Sequence, residues 1–105
     1  MVQIPANIKT IIENYLAALA QHQIPIKEAI LFGSYANGKY QEWSDIDIAL
    51  VSDIFEGDRI KDKDKIRMIT LSVSSAIEVI PFSPQDFNQQ NPLAKEILST
   101  GIKLV

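Results

Sequence analysis

The chain has 105 residues, of which 47% are hydrophobic and 22% charged, and it carries a formal net charge of −3 at pH 7. This balance excludes a disordered polar chain and predicts a single domain over residues 1–105. The negative charge, with no basic stripe to offset it, argues against direct nucleic acid binding, because such proteins neutralise phosphates with lysine and arginine. The absence of cysteine excludes a disulfide framework and a thiolate metal site.

Signals for membrane insertion and export are missing from the sequence. No segment reaches the roughly 20 apolar residues that a membrane-spanning helix needs. The first residues lack the charged and then apolar order of a signal peptide. We therefore expect a small soluble protein of the cytoplasm without a membrane partner.

The first predicted element is an amphipathic helix. Pro5 suits its first turn, and Pro25 prevents the helix from continuing beyond Ile24. Apolar residues recur at spacings of three and four, which is typical of one helix face: Ile8, Ile11, Ile12, Tyr15, Leu16 and Leu19.

Two strands are predicted next, with a turn between them. Residues 28–32 form a short apolar run that ends at Gly33–Ser34, which indicates a buried strand entering a tight turn. Residues 35–44 predict a short helical turn followed by a loop. Residues 45–52 alternate cleanly and are the best strand in the sequence.

The second half of the chain predicts further helices around a third strand. Residues 53–65 are dense in both charge signs and predict a solvated loop that runs into a helix over residues 66–73, although β-branched residues leave a strand possible there. Residues 76–82 predict a strand that is ended by prolines.

Capping signals mark the last predicted elements. Ser83–Pro84 and Asn91–Pro92 are each typical of a helix start, and Gly101 marks the end of the helix that follows. Residues 102–105 predict a short final strand. The resulting order predicts an α/β or α+β fold with one small sheet.

The aspartates at positions 45 and 47 are the strongest chemical feature. Residues two apart on a strand share a face, so these two carboxylates lie side by side and repel each other. Mg²⁺ is the cation that two carboxylates plus substrate phosphates usually hold. The non-functional alternative is that Asp45 caps the start of the strand and Asp47 faces water. The apolar residues on both faces of this strand weaken that alternative.

The Gly33–Ser34 pair is the second feature. Glycine lets the backbone approach a ligand closely, and a turn from strand to helix directs N–H groups at an anion. Alone, such a pair is usually only a turn, so its significance comes from its distance to Asp45 and Asp47.

The two features together resemble a known family. Gly33–Ser34, ten residues and then Asp45-x-Asp47 match the GS-x10-D-x-D signature of the DNA polymerase β superfamily of nucleotidyltransferases. Residues 33–51 are similar to the minimal, or MNT-type, members, which include the antitoxins of HEPN/MNT toxin–antitoxin pairs. The resemblance implies the nucleotidyltransferase fold, a small mixed sheet flanked by helices.

The resemblance also implies roles for individual acids. By the resemblance, Asp45 and Asp47 would hold two Mg²⁺ ions at the nucleotide phosphates. Glu78, the only acid of the third predicted strand, matches the family's third carboxylate, which completes one metal site and helps to deprotonate the attacking hydroxyl. The family more often has aspartate there, and an edge-strand acid facing water is the structural alternative for Glu78.

Nucleotide binding is expected at the turn. By the resemblance, Gly33–Ser34 grips the triphosphate of ATP. Relatives often have arginine just after this pair, whereas Tyr35 and Asn37 stand here and Lys39 is the nearest cation. Tyr35 and Trp43 suit either stacking on a base or local packing.

Three functions follow as alternatives. The leading one is transfer of AMP from ATP to a tyrosine of a HEPN-domain RNase toxin, with the chain acting as antitoxin in a hetero-oligomer. The second is a non-catalytic module that neutralises a partner by contact. The third is nucleotidyl transfer to a small molecule.

Overall fold

The protein consists of a four-stranded mixed sheet flanked by helices. The computed structural model describes residues 4–105, so the first three residues of the predicted domain lie outside the described range. None of the described helices is long and apolar enough to cross a membrane. In chain order the elements are α1 (Ala6–Gln21), β1 (Glu28–Phe32), α2 (Ser34–Asn37), β2 (Ile46–Val51), α3 (Arg59–Val73), β3 (Ile77–Phe82), α4 (Pro92–Thr100) and β4 (Ile102–Lys103).

The strand order of the sheet is β3-β2-β1-β4. Strand β1 runs antiparallel to both β2 and β4, whereas β2 and β3 are parallel. Since β1 ends where its antiparallel partner begins, the end of β1 and the starts of β2 and β3 meet at one end of the sheet. In this register Phe32 lies opposite Asp47, and Asp47 lies opposite Glu78.

Both faces of β2 are buried, as its sequence predicts. Helices α1 and α3 cover one face, where Ile46, Ile48 and Leu50 belong to the larger core cluster. Ala49 and Val51 belong to a second cluster on the other face, which α4 completes. This two-sided packing fixes β2, and therefore Asp47 near its start, in the centre of the molecule.

The start of α3 corrects the sequence-based boundary. The helix begins at Arg59, well before the predicted residue 66, and the side chain of Asp58 caps it by accepting a hydrogen bond from the backbone N–H of Lys61 at 3.1 Å. Charged residues fill these first two turns, so the apolar periodicity on which the prediction relied is absent there.

The two helix starts that were predicted from a residue pair with proline have different outcomes. The predicted helix at Ser83–Pro84 was wrong: the Ser83 hydroxyl donates to Asp86 at 2.9 Å and stabilises a turn instead. The start at Asn91–Pro92 is confirmed, because the Asn91 side chain accepts from the next two free N–H groups of α4. Pro5 directly precedes α1 rather than lying in its first turn.

Asp62 is a fully buried carboxylate in the segment that was predicted to be solvated. It accepts hydrogen bonds from the backbone N–H groups of Glu56 and Gly57, both at 2.9 Å, and from the Lys65 ammonium at 3.2 Å. Burial raises the pKa of Asp62, but these donors outweigh it and hold the pKa below its ordinary value. The carboxylate therefore ties the loop before α3 to the helix.

We expect Asp62→Asn to lower the free energy of unfolding by about 2 kcal/mol at neutral pH, because the amide loses charge-assisted hydrogen bonds. Since folding lowers this pKa, the stabilisation is present above the unfolded-state pKa and is lost as pH falls through the folded-state pKa. Chemical denaturation from neutral to acidic pH measures the difference. The exposed Asp64→Asn on the same helix is the control, and an equal loss in both variants would contradict the prediction.

Candidate active site

The Gly33–Ser34 turn lies at the end of β1, next to the start of β2. Gly33 has a φ of 76°, a conformation that favours glycine. Its carbonyl oxygen accepts hydrogen bonds from the backbone N–H groups of Ala36 at 3.0 Å and Asn37 at 3.2 Å. The chain therefore turns directly from strand to helix, and Ser34 becomes the partly exposed first residue of α2.

Gly33 also lies against the carboxylate of Asp47. A Cβ atom at position 33 would collide with Oδ2 of Asp47, so a larger residue would displace either the turn or the carboxylate. The pairing of Phe32 with Asp47 across β1 and β2 produces this contact. The structure thus brings together the two parts of the motif that the sequence separates by ten residues.

The three candidate acids influence one another electrostatically. Asp45 is exposed just before β2, Asp47 is half-buried, and Glu78 is exposed on β3. Burial, and then the negative charges of Asp45 and Glu78, raise the pKa of Asp47 above its ordinary value. Asp47 is therefore the acid whose charged form is disfavoured by burial and by the charges of the other two.

Glu78 is next to Asp47 in register but pairs with a cation. Its Oε1 atom lies 2.7 Å from the Nζ atom of Lys63, which reaches it from α3. Within residues 4–105, no group of three or more histidine, cysteine or carboxylate side chains is gathered closely enough to hold a metal ion. Gly33 thus contacts Asp47, and Glu78 lies beside Asp47 on the neighbouring strand. The Glu78 carboxylate itself pairs with Lys63.

The pair of aspartates has the chemistry that a hard cation needs. Its donors are carboxylate oxygens, the ligands that Mg²⁺ prefers. Among the ion pairs of the described chain, none includes Asp45 or Asp47. Burial is the largest cause of the raised pKa of Asp47, and repulsion from Asp45 adds to it. A cation between the two aspartates would relieve this repulsion, so the residues fit Mg²⁺.

The remaining predicted nucleotide contacts lie around α2. Lys39 is exposed just after this helix, and its backbone N–H donates to the carbonyl oxygen of Ser34 at 3.1 Å. Tyr35 is buried and stacks on Tyr40, with 4.8 Å between ring centroids, which confirms local packing for this residue. Trp43 is 79% exposed, which is contrary to local packing for this residue.

Sequence reasoning missed Lys63 as a member of this site. Its contact with Glu78 joins α3 to the strand that follows it, across a separation of 15 residues, and a lysine in a charged helical turn has no local signal that distinguishes it. The order strand, helix, parallel strand gives one hint, because the helix of such a connection packs over the sheet and so brings its residues near the second strand.

The comparison with known families decides the assignment. The nucleotidyltransferase domain family matches residues 12–104. The chain belongs to this family. The match includes the turn, both aspartates and Glu78, and it confirms the sequence-based assignment to the nucleotidyltransferases.

A curated relative of this family member is a "putative protein adenylyltransferase" of Methanocaldococcus jannaschii. The two chains are 47% identical over 49 residues, which are 46% of this chain and 49% of the relative. The match thus spans about half the length of that protein.

Solved structures confirm the nucleotidyltransferase fold. The crystal structure of a toxin–antitoxin with AMP-PNP matches with a TM-score of 0.62 and 24% identity, over 89% of this chain and 72% of that chain. A mutant toxin–antitoxin MntA-HpeT matches with a TM-score of 0.58 and 24% identity, over 89% and 71%. A "putative nucleotidyltransferase" from Sulfolobus solfataricus matches with a TM-score of 0.56 and 20% identity, over 98% and 89%.

We expect Asp47→Asn to raise the free energy of unfolding of the ligand-free protein by about 0.5 kcal/mol at neutral pH, a value reduced for solvent screening. Folding raises the pKa of Asp47, so stability is lost as pH rises from the ordinary value of 3.8 through the folded-state pKa. The gain should therefore vanish in acid. Denaturation curves measure it against Glu13→Gln, an exposed acid of α1, and a variant less stable than the wild type would refute the explanation.

Proposed function

We propose that this nucleotidyltransferase transfers AMP from ATP to a protein hydroxyl, that of a tyrosine in a HEPN-domain RNase toxin, and thereby acts as its antitoxin. The contact between Gly33 and the carboxylate of Asp47 is the observation that carries the proposal. It unites a phosphate-binding turn with an acid pair suited to Mg²⁺.

The comparisons support adenylyl transfer and a toxin–antitoxin setting for this proposal. The relative from Methanocaldococcus jannaschii is described as a "putative protein adenylyltransferase", and two structural neighbours are toxin–antitoxin proteins, one of them crystallised with AMP-PNP.

Each candidate residue has a task in the proposed reaction. Asp45 and Asp47 would hold Mg²⁺, two ions in the full site, and when bound the metal supplies charge neutralisation at the phosphates. Gly33, Ser34 and Lys39 bind the triphosphate. The acceptor oxygen bonds to the α-phosphorus as the bond to the β-phosphate oxygen breaks, and pyrophosphate leaves. Glu78 accepts the hydroxyl proton.

Glu78 must leave Lys63 to perform this task. Lys63 pairs with Glu78 at an exposed position, where an ion pair contributes about 1 kcal/mol at most. Such a weak pair is readily exchanged for another partner. We propose that Glu78 contributes to the metal site only after this exchange.

Lys63→Met should therefore increase the affinity for Mn²⁺, used as a spectroscopic substitute for Mg²⁺, by up to about fivefold. Electron paramagnetic resonance titration measures free Mn²⁺ without any turnover. Lys61→Met removes the same charge elsewhere on α3 and is the control. In a Glu78→Gln background the effect of Lys63→Met should disappear, and its persistence there would exclude Glu78 as the group released.

Incubation with labelled ATP, Mg²⁺ and the protein encoded by the adjacent gene tests the function directly. We expect label on the partner with the wild type and a loss of at least about a hundredfold with Asp45→Asn/Asp47→Asn, because the metal ligands are removed. Co-purification of the double variant with the partner controls for binding. A stable complex without label from the wild type would contradict catalysis on that acceptor and favour neutralisation by contact.

A further inference from the structure

A cavity lies beside α2, between the start of α1 and the loop that follows α2. Its volume is about 310 Å³. Sites for small molecules have volumes of roughly 300–1,000 Å³, so the cavity has room for a ligand of about the size of a nucleoside. Its walls include Asn7 and Ile8 of α1, Tyr35 of α2 and residues 40–42 of the loop.

The cavity and the Asp47 carboxylate lie on opposite sides of the sheet. Ile8 and Tyr35 belong to the core cluster that α1 and α3 cover. On β2, Asp47 lies between Ile46 and Ile48, whose side chains point into that same cluster. The Asp47 side chain therefore points to the α4 side. A ligand in the cavity would thus be separate from the groups that the two aspartates hold.

Two stacked tyrosines give the cavity an aromatic wall. The rings of Tyr35 and Tyr40 are nearly parallel, with an angle of 19° between their planes and 4.8 Å between their centroids. Tyr35 is 4% exposed, whereas Tyr40 is 39% exposed. The stack therefore ends in a ring with accessible surface, and a planar heterocycle is the kind of ligand that extends such a stack.

The hydroxyl of Tyr35 is available to a ligand in this cavity. Within residues 4–105, Tyr15 is the tyrosine whose hydroxyl forms a hydrogen bond, and the Tyr35 hydroxyl forms none. No fully buried side-chain oxygen or nitrogen of the described chain lacks a partner, so this unpaired hydroxyl has to be accessible although its ring is buried. Because Tyr35 lines the cavity, we infer that the hydroxyl opens into it.

The rim of the cavity supplies further hydrogen-bonding groups. Asn7, Gln41 and Glu42 are exposed there, and in the part of the chain that the structure describes their side chains form no hydrogen bond or ion pair. A turn fixes this rim, because the backbone N–H of Gln41 donates to the Ser44 hydroxyl at 2.7 Å. Side-chain amides pair with the edge of a purine through one donor and one acceptor, whereas the Glu42 carboxylate disfavours a phosphate.

We propose that this cavity binds the purine base of a nucleoside or nucleotide other than the ATP that the two aspartates hold. The base stacks on Tyr40, and a ring nitrogen accepts a hydrogen bond from the Tyr35 hydroxyl. The amides of Asn7 and Gln41 pair with the edge of the base, and its exocyclic amino group donates to Glu42. Binding there requires neither Mg²⁺ nor AMP transfer, so the inference goes beyond the proposed function.

Adenosine and guanosine are suitable probes, because without phosphates they cannot use the phosphate-binding turn. Equilibrium dialysis of the labelled nucleosides measures their affinity. We expect Tyr40→Leu to weaken binding at least about fivefold through lost stacking, and Tyr35→Phe to weaken it about threefold through loss of the hydroxyl alone. Gln41→Leu should weaken binding about threefold, whereas Gln90→Leu removes an exposed amide outside the cavity and should have no effect. Uridine, whose single ring stacks less, should bind more weakly than either purine.

The outcomes separate this site from the proposed function. Purine binding that persists in Asp45→Asn/Asp47→Asn and in the presence of tripolyphosphate would support a separate site, and its loss in either case would overturn it. Failure of both purine nucleosides to bind, or equal weakening by Gln41→Leu and Gln90→Leu, would also overturn it. AMP transfer to the partner by the same wild-type protein would then preserve the proposed function. Thermal melting of each variant verifies its fold.

Discussion

The contact between the Gly33 backbone and the Asp47 carboxylate is the constraint on which the candidate site depends. It requires an antiparallel pairing in which the residue before the glycine lies opposite the aspartate. A shift of this register by one residue would turn Asp47 into the core beneath α1 and α3. The apolar residues on both faces of β2 prevent such a shift, so the packing of the whole sheet maintains the geometry of the site.

The same packing holds Asp47 near Asp45 and Glu78 although their negative charges repel one another. Burial, and then the charges of the other two acids, oppose the charged form of Asp47, as its raised pKa indicates. The opposing stabilisation comes from parts of the molecule that take no part in the chemistry, among them the buried Asp62 and its donors at the start of α3. Unfavourable electrostatics at a site and favourable electrostatics elsewhere are typical of functional proteins.

Local patterns in the sequence predict the elements around the site, because α1, β1 and β2 have clear apolar periods and the glycine turn has a clear signal. The start of α3 was not predictable in this way. Asp58 caps the helix and Asp62 is buried, but in the sequence both belong to a charged segment of the kind that usually forms a solvated loop. The sequence after Ser83 resembles a helix start because a serine hydroxyl can either cap a helix or stabilise a turn, as it does here. The pairing of Lys63 with Glu78 depends on tertiary contact alone.

The position of Glu78 places its side chain between Asp47 and Lys63. Members of the family that this chain resembles more often have aspartate there, and the additional methylene gives Glu78 reach toward either Asp47 or Lys63. Glu78 therefore lies between the positive charge of Lys63 on α3 and the negative charge of Asp47 on β2.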